Sequence, residues 1–87
     1  MGRYRVVIKP SAAREILDVG KKSDRRRIVG RILSLAENPR PIGCEKLAGH
    51  EDRYRVRVGS YRIVYSINDR EASVCVVKVG HRRDVYK

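Results

Sequence analysis

The chain alternates between two hydrophobic periods. Residues Tyr4 to Lys9 are rich in β-branched side chains with partial alternation, which predicts a strand. Pro10 ends it, and Ser11 is placed to cap a short helix with Ala13, Ile16 and Leu17 on one face, stopped at Gly20. Ser23 or Asp24 can cap a second helix, in which Ile28, Ile32 and Leu35, flanked by Val29, Leu33 and Ala36, recur at helical spacing up to Asn38-Pro39. Arg40 to Asp52 is rich in Pro, Gly and charge and predicts a loop. Period-two runs then predict strands at Tyr54–Val58, Tyr61–Ile67 and Ala72–Val79, joined at Gly59-Ser60 and at Asn68-Asp69-Arg70-Glu71. The order β-α-α-β-β-β describes one α+β domain over residues 1–87, with two helices packed on a small, mostly antiparallel sheet.

A two-residue loop at Gly59-Ser60 sets the hairpin register. Val58 faces Tyr61, Arg57 faces Arg62, Val56 faces Ile63 and Arg55 faces Val64. Tyr54, Val56, Val58, Tyr61, Ile63 and Tyr65 then share the face under the helices, and Arg53, Arg55, Arg57 and Arg62 share the other. Like charges directly opposite on a sheet cost about 0.2–1 kcal/mol. An anion between them reverses the sign, because a guanidinium offers a planar fork of donors matched to phosphate oxygens. The plain alternative is a solvated charged surface.

Composition adds weight to the anion. The formal net charge is +11 over 87 residues, which favours nucleic acid, an anionic membrane surface or an acidic protein as partner. Arg25, Arg26, Arg27 and Arg31 lie largely off the apolar stripe of the second helix and read as a solvated basic face or as contacts to RNA or an acidic partner. No run approaches the roughly 18 apolar residues of a membrane span, and the N-terminus lacks a signal-peptide core, so a cytoplasmic protein is expected. Cys44 and Cys75 are too few for a disulfide framework or a zinc site; they read as a loop thiol and a small core residue.

The last predicted strand returns toward the hairpin turn and carries His81, Arg82, Arg83 and Tyr86 toward Arg57 and Arg62. Lys46 of the preceding loop is a further candidate. Of the ten acidic residues only Asp84 is expected near this patch. Clustered carboxylates for metal-dependent hydrolysis are missing from it, and no signature brings a nucleophile and a base together. No cofactor is expected. The chemistry left is phosphodiester cleavage in which RNA supplies its own 2′-hydroxyl. Arginines can neutralise the developing charge but are poor bases, which leaves His81 and Tyr86, with Lys46 behind them, for proton transfer.

The loop Cys44-Glu45-Lys46-Leu47-Ala48-Gly49, the block from Tyr54 to Tyr65 and the closing Val79 to Tyr86 resemble the RelE/ParE toxin superfamily, and within it the RelE-type mRNA interferases. The resemblance implies the toxin of a type II toxin–antitoxin system that cuts mRNA in the ribosomal A site, leaving a 2′,3′-cyclic phosphate and a 5′-hydroxyl. It also implies a RelB-type antitoxin as partner, with ribosomal RNA around the site. Position by position, Arg55 and Arg57 match the basic pair on the first hairpin strand, Arg62 the phosphate-binding arginine, Arg82 the arginine after the last strand, and Tyr86 the C-terminal tyrosine. Lys46, Arg53 and Arg83 are expected to bind RNA. The family's best-known form has lysines at the positions of Arg55 and Arg57, one of them a proposed base, so the base here is open. Two other functions fit the same chain: a ParE-like, non-enzymatic inhibitor of DNA gyrase, and an RNA-binding domain without turnover.

Overall fold

The computed structural model describes residues 3–49 and 52–81. Its elements are β1 (Arg5–Ile8), α1 (Pro10–Leu17), α2 (Lys22–Ser34), β2 (Glu45–Lys46), β3 (Arg53–Val58), β4 (Tyr61–Asn68) and β5 (Ser73–His81). The five strands lie in the order β1-β5-β4-β3-β2, with β1 parallel to β5 and every other pair antiparallel. The two helices on a mixed sheet agree with the α+β reading. The difference is β2, a two-residue strand inside the predicted loop.

Both helices begin earlier than their polar residues suggest. Pro10, expected only to end a strand, is itself the first residue of α1. Its fixed φ suits that position and its missing N–H is not needed there. The helix ends at Leu17 with Asp18 as its C-cap, before Gly20. α2 starts after Lys21, with Ser23 and Asp24 already inside its first turn; an acidic side chain there favours the helix dipole.

The core joins Ala12, Ile16, Ile28, Ile32 and Leu35 from the helical side to Val56, Ile63, Tyr65, Ile67, Val74, Val76 and Val79 from the sheet. The stripe Ile28, Ile32 and Leu35 is buried as its spacing requires. Leu17 and Leu33, however, are 75% and 62% exposed, and Val29 is also exposed. These three lie with Ile16 along an outer groove rimmed by Lys22, Arg25 and Arg26. Among the described residues no helix is long and apolar enough to cross a membrane.

The chain between α2 and β2 is held at several points. Ala36 O accepts from the backbone N–H groups of Arg3 and Tyr4, at 2.9 and 3.0 Å. The buried Tyr65 hydroxyl donates to Pro39 O at 2.7 Å, and burial, followed by Cys44, pushes that phenol well above its usual range. The Arg40 guanidinium forks onto Asp69 at 3.2 and 2.9 Å and lies 5.2 Å from the centre of the Tyr54 ring. Tyr4 donates to the same carboxylate at 2.7 Å. These ties fix the approach to β2, so that Glu45 pairs with Arg55 and Lys46 with Tyr54.

Tyr65→Phe should destabilise the protein by about 1–3 kcal/mol, because it leaves the Pro39 carbonyl, on a buried residue, without its donor. Thermal unfolding of the variant reads this as a fall of several degrees in Tm; an unchanged Tm would mean that the bond contributes nothing.

Candidate nucleic-acid interface

The hairpin register is the one expected: Val58↔Tyr61, Arg57↔Arg62, Val56↔Ile63 and Arg55↔Val64. Strand alternation therefore sets Arg53, Arg55, Arg57 and Arg62 on the sheet face away from the core. They are not equally open. Arg62 is only 5% exposed and the Arg55 side chain 12%, whereas Arg57 is exposed. Arg53 is half-buried opposite Ser66, two residues from Arg55.

This face has an acidic member that the sequence reading did not include. Glu45 sits opposite Arg55 in the ladder, and Arg55 Nη2 donates to its Oε1. Hydrogen bonding and charge from Arg55, followed by the charges of Arg57 and Arg62, hold the Glu45 carboxyl below the usual glutamate range. One carboxylate, ionised at neutral pH, is thus bonded to Arg55 and lies in the field of Arg57 and Arg62 while remaining largely open to solvent. A sequence signal existed: Glu45 belongs to the Cys44–Gly49 motif. A two-residue strand has no period by which to find its face.

Two other candidates lie elsewhere. Lys46 pairs with Tyr54, so its register position belongs to the opposite, helix-side face. His81 reaches the expected end of the sheet but pairs with Tyr61, and its ring meets the Tyr61 ring edge-on at 5.8 Å. It lines a cleft of about 380 Å3 with Glu15, Asp18, Tyr61 and Lys78. A register shift between Val64/Tyr65 and Val76/Lys78 explains its side: one extra residue in β5 inverts the alternation beyond it. Glu15 closes that edge, accepting from the Val79 N–H at 2.9 Å and from Lys78 Nζ at 3.1 Å. The single patch expected from sequence is therefore divided, with the arginines on one face and His81 on the other. Arg62 stands opposite Gly80 in β5, which puts no side chain beside it there. Arg82, Arg83 and Tyr86 lie outside the described residues.

A preorganised cluster of donors on one side of a carboxylate can bind an anion, stabilise charge developing on it and accept one proton.

A family model described as the ParE toxin of type II toxin–antitoxin systems, parDE, matches residues 6–86. The mRNA interferase toxin RelE of Escherichia coli K12 is 35% identical over 60 residues, which is 67% of this chain and 62% of that protein. The chain spans only about six tenths of the length of the curated relatives it matches. Among solved structures, the archaeal RelE–RelB complex of Pyrococcus horikoshii OT3 matches with a TM-score of 0.81 at 29% identity, over 92% of this chain and 96% of that one. The intact E. coli RelBE toxin–antitoxin complex matches with a TM-score of 0.77 at 29% identity, over 90% and 95%.

Proposed function

Since the chain belongs to the ParE toxin family of type II toxin–antitoxin systems, we propose that it is a metal-independent endoribonuclease that cuts mRNA in the ribosomal A site. The observation that carries this reading is the cluster of Arg55, Arg57 and Arg62 around the Glu45 carboxylate. A carboxylate beside a cationic site repels phosphate, which favours a role for it beyond RNA binding, as a proton acceptor.

In this reading the guanidiniums of Arg57 and Arg62 hold the scissile phosphate and offset the charge that grows on its equatorial oxygens. Arg55 binds Glu45 and orients it. The substrate's 2′-hydroxyl gives its proton to Glu45 while its oxygen bonds to phosphorus. The bond to the 5′-oxygen breaks, leaving a 2′,3′-cyclic phosphate, and the departing oxygen takes a proton from Tyr86 of the C-terminal segment. Arg82 adds charge at the phosphate, and Arg53 and Arg83 bind flanking RNA. Glu45 replaces His81 as proton acceptor, because His81 is on the other face of the sheet. A carboxylate whose pKa is lowered is a weak base, so the enzyme depends on the ribosome to align the RNA.

The proposed partner is a RelB-type antitoxin. The apolar groove of Ile16, Leu17, Val29 and Leu33, rimmed by Lys22, Arg25 and Arg26, suits an acidic amphipathic segment. The family's description favours a second reading, ParE-like inhibition of DNA gyrase without catalysis. A reconstituted translation system and a gyrase supercoiling assay separate the two. Arrest of translation at toxin concentrations that leave gyrase active is expected; the reverse would replace the proposal with the second reading.

A further inference from the structure

The arginine face does not end at the hairpin. β2 pairs with β3 only at Tyr54 and Arg55, so among the described residues no strand covers the β3 edge from Val56 to Val58. Two adjoining clefts of about 500 and 450 Å3 run along that edge, sharing Arg31 and Arg57. The first is lined by Gly43, Cys44, Glu45 and Val56 and opens at the arginine face. The second is lined by Arg27, Gly30, Ser34, Val58 and Gly59 and lies against α2. Together they form a groove leading from the Glu45 site, around the sheet edge, to the hairpin turn.

Its charge is concentrated in three guanidiniums, Arg57 on β3 and Arg27 and Arg31 on α2. The acidic groups near them are Glu45, already bonded to Arg55, and Asp24, 3.8 Å from Arg27. Arg31 Nε is buried and has no hydrogen-bond partner among the described residues. The Arg27 guanidinium stands about 3.5 Å from where a side chain on Gly59 would begin, and that glycine is held at φ +59. A larger residue at the turn would be strained by that φ, while its Cβ would meet Arg27 only at ordinary contact distance. Gly30 has open space where a side chain would sit, so nothing in the packing demands glycine there. Glycine in mid-helix is less stable than alanine, whereas it lets a ligand approach α2 closely.

We propose that this groove is a second RNA site, in which Arg27 and Arg31 hold backbone phosphates of nucleotides next to the one cut. It rests on the reading of the arginine face as an RNA-cleaving site and extends the bound strand beyond it. The flat, open shape and the lack of a base-sized aromatic slot among the lining residues suit phosphate contacts rather than base recognition.

The test uses a single-stranded 2′-O-methyl RNA, which cannot be cut, and follows its binding by fluorescence anisotropy across a salt series. Each phosphate contact to a single strand contributes about 0.7 to the slope of log K against log salt. The double substitution Arg27→Ala with Arg31→Ala should flatten the slope by about 1.4, and Arg27→Lys with Arg31→Lys should restore it. A parallel arm measures binding to vacant ribosomes. Flattening with the oligonucleotide supports the proposal; flattening with ribosomes alone overturns it and assigns the groove to ribosomal RNA. Unchanged slopes in both arms overturn the proposal, as does a loss confined to antitoxin binding. Melting temperature monitors the fold. If the parent protein cuts no mRNA yet the slope flattens, the groove stands and the cleavage reading fails. If the parent cuts and the slope is unmoved, the groove alone fails.

Discussion

Arg62→Ala should slow mRNA cleavage by two to three orders of magnitude without unfolding the protein. Preorganised donors aimed at developing charge are worth about 2.7–4 kcal/mol each, and Arg62 is the most enclosed of the hairpin arginines at 5% exposure. Its guanidinium is held where water cannot easily replace it. The fold should tolerate the change because Arg62 faces Arg57 across the ladder, a like-charge pair whose removal relieves repulsion. Arg62→Lys should also be poor, since a point charge cannot fork onto two phosphate oxygens. Single-turnover cleavage on ribosomes, with a thermal melt as control, checks this. A folded Arg62→Ala protein of parental rate would remove the arginine face from the chemistry.

The second large effect concerns the proton. Glu45→Gln should cost about two to four orders of magnitude, the usual worth of general base catalysis. The pH dependence distinguishes it from a merely structural loss. Arg55, followed by Arg57 and Arg62, lowers the Glu45 pKa, so its basic form is fully populated at and above the ordinary carboxylate range. The parent rate should therefore hold steady as pH falls through about 6.5, where a histidine would titrate. It should decline only as pH falls through the lowered carboxylate value. His81→Gln should leave this profile unchanged. An acid limb near the histidine value that disappears in His81→Gln would return the base to His81.

The sequence made the hairpin legible because two local signals agreed. Gly59-Ser60 defined the turn, and strict alternation on both sides defined the faces, so the pairing of Arg57 with Arg62 followed. The stripe Ile28, Ile32 and Leu35 was readable for the same reason, since helical spacing over several turns is redundant. What escaped lacked such redundancy. Glu45 lies in a strand too short to have a period, in a segment whose composition signals a loop. Strand order alone puts His81 at the correct end of the sheet but not on the correct face. Counting by twos from Val74 puts His81 with the arginines, and the extra residue in β5 turns it over. Leu17 and Leu33 follow the apolar helical spacing yet lie outside the core, because such spacing marks any face to be buried, including one that a partner would cover.

Primer extension on mRNA, with and without ribosomes, tests the central claim most directly. Toxin-dependent cuts are expected within the A-site codon only when ribosomes are present, with 2′,3′-cyclic phosphate and 5′-hydroxyl ends, and no such cuts with Arg62→Ala. Intact mRNA on ribosomes that bind the toxin, or cuts that persist undiminished in Arg62→Ala, would contradict it.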